Sequence, residues 1–118
     1  MKEQFQARML RIHCGEADKW HGKPLYEAIL AQCRQMEISS AIVLRGIEGY
    51  GASTRIHHAG HWRLSKDAPI TLSVIDTEEQ IGKLIPHLDE MVEEGLVVIS
   101  QVEVIRLSRD PELTGAQA

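Results

Sequence analysis

Two kinds of hydrophobic periodicity alternate along this chain, and their order constrains its fold more than any other feature. Four segments have the pattern of strands, since apolar residues alternate with polar ones in two of them and the other two are rich in β-branched and apolar residues. In two further segments apolar residues recur at steps of three and four, as in amphipathic helices. The order is strand, helix, strand, strand, helix, strand. Because crossover connections have one preferred hand, such a chain folds as two interleaved βαβ units. We therefore predict an α+β, ferredoxin-like βαββαβ domain, with a four-stranded antiparallel sheet and two helices on one face.

The pattern also predicts where each strand and the first helix lie. The strands are predicted at about 7–14, 41–45, from Pro69 onward and at 96–107. Helix one is expected at about 24–36, with Pro24 at its first position because the missing N–H is not needed there. The inward stripe of this helix is predicted to consist of Leu25, Ala28, Ile29, Cys33 and Met36.

Helix two carries start and stop signals of its own. Asp76 is predicted to cap its first turn, with Glu79 reaching back to the cap. Pro86 removes a backbone hydrogen bond from the helix interior, which predicts a kink or two short helices. Gly95 is expected to end the helix in a left-handed conformation.

Composition limits the class of protein. A chain of 118 residues with 43% hydrophobic content can form one packed domain, which we place at 5–108, followed by a polar tail at 109–118. A net charge of −4 lacks the attraction to phosphate backbones on which nucleic-acid binders rely, so no nucleic acid is expected as a partner. Without a run of about 18 apolar residues, neither a signal peptide nor direct membrane insertion is predicted.

Cys14 and Cys33 lack metal-ligand spacing and suit buried thiols in a reducing cytoplasm.

The predicted fold leaves one face of the sheet without a covering layer. Met9 and Val43 are expected on that face, where their apolar side chains would be exposed in a monomer. Self-association would remove this surface from water, so we predict a homo-oligomer.

Motifs of the common enzyme classes are missing from the chain. It has no GxSxG, no P-loop, and GIEGYG at 46–51 does not match GxGxxG. Acylphosphatases share the predicted topology but need an asparagine to position water, and this chain contains no asparagine. We predict a protein that is not an enzyme, with a small hydrolase or isomerase acting through His58 or His61 as the alternative.

A basic cluster precedes helix one. Lys19, His21 and Lys23 lie beside the helix N-terminus, whose free N–H groups and positive dipole end favour an anion. We predict a patch that binds a small anionic ligand, and the alternative is a solvated loop whose glycine and proline only shape the turn.

Residues 52–66 show no clear periodicity and are predicted to form a long loop. Long irregular connections in compact domains are often functional, so we expect this loop to contact a partner. Its histidines could bind a metal with Cys14 or Asp67, but solvated histidines are favoured because the spacing matches no known site, and no metal site is predicted. The candidate contact residues are Arg55, His57, His58, His61, Trp62 and Arg63.

Three segments carry a resemblance to a known family. They are GEADKWHGKPLYEAI at 15–29, VLRGIEGYGAS at 43–53 and LDEMVEEGLV at 88–97. They strongly resemble the PII-like family catalogued as domain of unknown function 190, and through it the PII signalling proteins. The resemblance implies a homotrimer that holds a ligand, with an adenine nucleotide as the candidate, in the clefts between subunits. It also implies a long loop that contacts a regulated protein, for which a membrane transporter is one candidate. A metal- or divalent-cation-linked trimer of the same superfamily is the alternative.

The resemblance assigns roles to individual residues. Gly49, Tyr50 and Gly51 match the entry to the long loop of PII proteins, Gly95 matches the glycine-bearing turn after helix two, and Arg106 matches a phosphate-contacting arginine. Two motifs depart from the PII pattern, because 52–53 is Ala-Ser in place of Arg-Gln and 94–97 is Glu-Gly-Leu-Val in place of Gly-Asp-Gly-Lys. These losses weaken the prediction of a triphosphate ligand and favour a smaller or less charged one.

Overall fold

The computed structural model describes residues 2–51 and 68–109, and its elements follow the predicted order. The strands of the main sheet are β1 (Lys2–Gly15), β4 (Ser40–Arg45), β5 (Pro69–Asp76) and β6 (Leu96–Leu107). The helices are α1 (Leu25–Gln35) and α2 (Glu78–Met91), and a small hairpin of β2 (Lys19–Trp20) and β3 (Lys23–Pro24) precedes α1. The α+β fold predicted from the periodicity is confirmed.

The main sheet has the strand order β4-β5-β1-β6, and every neighbouring pair is antiparallel. Strand β1 pairs with β6 from Lys2 to His13, but with β5 only from Arg8 to Gly15. Residues 2–7 and their partners at 102–107 therefore form a two-stranded extension beyond the four-stranded sheet. We call this extension the terminal ribbon.

The core lies between the sheet and the two helices. It is formed by alternate residues of β1 and β5 and by one stripe of each helix, as the two periodicities predicted. Burial removes these side chains almost completely from water, and in Cys33 it raises the pKa of the thiol to about 11. The buried cluster consists of Leu10, Ile12, Cys14, Leu25, Ile29, Cys33, Ile70, Leu72, Val74, Ile81, Leu84, Leu88 and Met91.

Helix α1 begins one residue later than predicted. Pro24 pairs with Lys19 in the hairpin and keeps an extended ψ of 131°, so it is the N-cap and not the first helical residue. The predicted inward stripe is confirmed, since three of its residues are buried and Ala28 and Met36 pack against the core.

The predicted cap of α2 was wrong by one residue. Thr77 is the N-cap, and its side chain accepts a hydrogen bond from the N–H of Gln80 at 3.2 Å. Asp76 is buried at the end of β5, and its carboxylate accepts from the N–H of Ser39 at 2.9 Å and from that of Thr77 at 2.7 Å. Asp76 thus ties the start of β4 to the end of β5.

Pro86 does not divide α2 into two helices, since the helix is continuous from Glu78 to Met91. The carbonyl that loses its partner belongs to Gly82, and both residues lie on the exposed side of the helix. Water can therefore bind the freed carbonyl, which lowers the cost of the missing hydrogen bond.

The left-handed conformation predicted for Gly95 was also wrong. Among the described glycines, positive φ occurs at Gly22 and Gly51, and Val92 forms the extended C-cap of α2. At Gly95 an added Cβ would lie 2.7 Å from the carbonyl oxygen of His13. Glycine is required there because two backbones approach closely.

The uncovered face of the sheet carries an apolar rim around a polar centre. Met9 lies on this face as predicted, but Val43 does not, because it pairs with buried Leu72 and packs against the core. Side chains alternate between faces, so its neighbours Ile42 and Leu44 point outward instead. We call this surface the open face. Its residues are Met9, Arg11, His13, Ser40, Ile42, Leu44, Thr71, Ser73, Ile75, Leu96, Val98 and Ser100.

The longer of the two helices has 14 residues, and within 2–51 and 68–109 no helix is long and apolar enough to cross a bilayer.

Candidate functional site

Both ends of the segment that contains the predicted long loop are fixed by one carboxylate. Glu16 follows β1 and accepts hydrogen bonds from Arg45 Nε at 3.1 Å and Arg45 Nη2 at 3.0 Å. Its backbone N–H donates to the carbonyl of Ala68 at 2.8 Å, and the N–H of Gly46 donates to the carbonyl of Pro69 at 2.7 Å. Arg45 lowers the pKa of Glu16 through this bidentate contact. We call Glu16, Arg45 and Ala68 the base clamp.

The predicted loop-entry residues lie directly beyond this clamp. Gly49 and Tyr50 line a cavity of about 280 Å³, together with His13 and Thr71 of the open face. Tyr50 is 82% exposed, and Gly51 has a φ of 111°, a conformation that favours glycine. A mainly apolar cavity with an exposed aromatic ring can accept a flat ligand against the tyrosine.

Gly95 lies at the same end of the sheet. The place where its Cβ would be is 2.7 Å from the His13 carbonyl oxygen, and the His13 side chain lines the cavity beside Tyr50. The structure therefore places Gly49, Tyr50 and Gly95 around His13, and Gly51 directly follows Tyr50.

Arg106 lies at the opposite end of the sheet, on the terminal ribbon. It pairs with Glu3, and Glu3 and His13 are ten positions apart in β1, which is about 33 Å in an extended strand. Its guanidinium is 3.4 Å from the Glu3 carboxylate and 5.7 Å from the centre of the Phe5 ring. One chain therefore does not bring Arg106 to the other predicted residues.

The basic cluster forms the small hairpin before α1. His21 and Gly22 have φ values of 49° and 81°, the pattern of a type I′ turn, and Lys19, His21 and Lys23 are exposed. The first helical N–H, that of Leu25, donates to the Asp18 carbonyl at 2.8 Å and is thus not free for an anion. The proposal of an anion patch remains a prediction.

The predicted partner loop at 52–66, with its arginines, histidines and Trp62, lies outside the described residues. Within the described ranges no group of three or more histidine, cysteine or acidic side chains is arranged to hold a metal ion.

Sequence reasoning missed the base clamp. Glu16 and Arg45 are 29 positions apart, and neither belongs to a motif whose spacing indicates an ion pair. The only signal was that Glu16 directly follows a strand and Arg45 ends one, so that both could lie at one edge of a sheet.

Comparison with known proteins identifies the family. The sequence profile of DUF190, described as "Uncharacterized ACR", matches residues 7–104. The chain belongs to this family. A UPF0166 protein of Methanocaldococcus jannaschii is 32% identical over 103 residues, which are 86% of this chain and 94% of the relative. The predicted membership of DUF190 is confirmed.

Solved structures place this DUF190 protein among PII-like folds. The apo form of CPII, a nitrogen regulatory PII-like protein from Thiomonas intermedia, superimposes with a TM-score of 0.62 at 16% identity, over 91% of this chain and all of CPII. A structure of CPII bound to ADP, AMP and bicarbonate gives a TM-score of 0.60 at 19% identity, over 86% of this chain and 91% of CPII. At such identities the likeness concerns the fold.

Proposed function

We propose that this DUF190 protein is a cytoplasmic, trimeric PII-like regulator that binds a small anionic ligand between its subunits. An adenine nucleotide is the ligand class we favour. The segment at 52–66 contacts a regulated protein, and the ligand acts by binding two states of that segment unequally. The protein acts through binding and not through turnover.

The observation that carries the proposal is the separation of the predicted ligand residues. Gly49, Tyr50, Gly51 and Gly95 are about 33 Å from Arg106 along the sheet, a distance much longer than a nucleotide. A second chain placed against the first can bring its own Arg106 to the loop end of its neighbour. A site between subunits therefore accounts for residues that one chain keeps apart.

The open face supports self-association. Ile42, Leu44, Leu96 and Val98 are between 49% and 55% exposed, and they form two apolar strips, one on each edge strand of the sheet. Packing these rims against other copies would remove them from water and would define clefts at the strand edges.

The charges near the site favour a ligand with few phosphates. Arg106 is held by a long, exposed ion pair with Glu3, and such pairs contribute only about 0–1 kcal/mol, so a phosphate can displace the carboxylate. In the loop entry, Glu48 adds a negative charge beside Gly49. A nucleoside mono- or diphosphate suits this balance better than a triphosphate.

A thermal-shift titration with ADP, AMP and bicarbonate tests the proposal. A ligand at about 100 times its Kd adds about 2.7 kcal/mol to stability, so we expect ADP or AMP to raise the melting temperature. Arg106→Ala should abolish the shift. Arg34→Ala is the matched control, since Arg34 is an exposed arginine in the last turn of α1 and should leave the shift unchanged.

Two results would contradict this proposal. One is the absence of a shift with each of the three ligands, and the other is an ADP shift that survives Arg106→Ala. A shift with a divalent metal alone would favour a metal-linked trimer instead.

A further inference from the structure

The ring of Trp20 forms a wall of a cavity between the small hairpin and the end of α2. It stacks on the His21 ring, with 4.1 Å between the ring centres and 14° between the planes. Buried Leu25 and Met91 also line the cavity, whose volume of about 520 Å³ lies in the range of small-molecule sites. This cavity shares no residue with the one beside Tyr50.

The charge of this cavity is negative. One lysine, Lys19, lines it together with the carboxylates of Asp18, Glu90, Glu93 and Glu94. Within the described part of the chain, the carboxylates of Glu90 and Glu93 make no hydrogen bond or ion pair. A ligand with positive charge would therefore find two carboxylates that no other described group neutralises.

The helix itself adds to this negative potential. Glu90 belongs to the last turn of α2, and that turn contains no basic residue. Free carbonyl groups give the C-terminal end of a helix a partial negative charge, so a carboxylate there is in an unfavourable place. A bound cation would relieve this repulsion whether or not it also contacts the aromatic wall.

We propose that the cavity bounded by Trp20, Glu90 and Glu93 binds a small organic cation, one that has an ammonium or guanidinium group on a short apolar body. The cationic group lies against the face of Trp20 opposite His21 and pairs with the two carboxylates, because an indole ring attracts cations through its π-electron face. The apolar body contacts Met91 and Leu25. This is a second site, separate from the one proposed between subunits.

The sign of the charge is opposite to that expected from the sequence. Lys19, His21 and Lys23 predicted an anion, but their spacing along the chain does not reveal that the end of α2 packs beside them. The fold adds Glu90, Glu93 and Glu94 to the same surface. The basic hairpin and the acidic cavity next to it therefore make competing predictions about the ligand.

Tryptophan fluorescence tests the proposal directly. In a Trp62→Phe background Trp20 is the only tryptophan of the chain, and agmatine, which has a guanidinium and an ammonium group, serves as the probe. We expect a saturable change in Trp20 fluorescence. The double variant Glu90→Gln/Glu93→Gln should bind agmatine with an affinity at least about tenfold lower than that of the parent. Glu79→Gln, which neutralises a glutamate in the first turn of the same helix, should bind as the parent does.

Three outcomes would overturn the proposal. The first is that agmatine causes no saturable change in Trp20 fluorescence, and the second is that the double variant binds agmatine with unchanged affinity. The third is a fluorescence change caused by inorganic phosphate and not by agmatine, if Lys23→Glu removes that change. The melting temperature of the double variant, measured without ligand, verifies that the fold is intact, and it should equal or exceed that of the parent. Loss of ADP binding in Arg106→Ala concerns the other site, so the two proposals fail separately.

Discussion

At the scale of single residues, two glycines of this protein are expected to respond in opposite ways to the same substitution. Gly95→Ala places a methyl group 2.7 Å from the His13 carbonyl oxygen, so backbone must shift, at a cost of about 1–3 kcal/mol. Gly82 lies in the exposed face of α2, and outside its own helix backbone no atom lies within 4 Å of the new Cβ, so Gly82→Ala should stabilise the protein by about 0.5–1 kcal/mol. Urea unfolding at one protein concentration measures both, and a Gly95→Ala midpoint equal to that of the parent would refute the close approach.

At the scale of elements, the base clamp predicts a dependence of stability on pH. The hydrogen bonds from Arg45 lower the pKa of Glu16 in the folded state below its ordinary value of 4.5. The stabilisation is therefore fully present above pH 4.5 and is lost as the pH falls through the lower, folded-state pKa. We expect the melting temperature of Glu16→Gln to fall less steeply than that of the parent below pH 4.5.

The control for the clamp is Glu79→Gln, which removes the same charge from a surface pair with Lys83. Its melting curve should keep the pH dependence of the parent. Arg45→Gln should reproduce the shallow dependence of Glu16→Gln, and the double variant should add little, since each substitution breaks the same contact. Parallel pH profiles for parent and Glu16→Gln would show that the clamp does not form in solution.

The sequence predicted elements better than it predicted the contacts between them. The order of strands and helices and the inward stripe of α1 follow from local periodicity, and both are confirmed. The predictions for the cap of α2, the conformation of Gly95 and the face of Val43 were wrong. Each of these features depends on a neighbouring backbone segment that is distant in the sequence. Asp76, for example, has the chemistry of a cap, but a nearby N–H of Ser39 takes its carboxylate.

The candidate site was predictable only where a motif is continuous in the chain. Gly49, Tyr50 and Gly51 form one turn and lie together in the fold. Arg106 was assigned by resemblance, and nothing in its spacing indicated that it lies on the terminal ribbon, about 33 Å from that turn. Contacts that join distant parts of the chain, such as the base clamp, leave no local pattern in a single sequence.

At the scale of the whole molecule, the open face predicts how the subunits associate. Leu44→Lys and Val98→Lys each place a charge on the apolar rim, where burial against another copy would cost several kcal/mol. We expect light scattering to give the mass of a trimer for the parent and a smaller mass for both variants. Ile47→Lys is the control, since Ile47 is 98% exposed in the loop beyond β4 and lies outside the open face. A monomeric parent, or trimeric rim variants, would contradict the proposed assembly.

The terminal ribbon has a consequence for how strongly any ligand of Arg106 can bind. Two paired strands outside a four-stranded sheet are marginally stable, so the ribbon can open while the core stays folded. A ligand that needs Arg106 in place binds only the closed form, and its apparent affinity falls in proportion to the closed fraction. Substitutions at 2–7 or 102–107 that touch no ligand would then set the concentration at which the protein responds. The stability of the ribbon can therefore change the ligand concentration that the protein needs for a response, while the core stays the same.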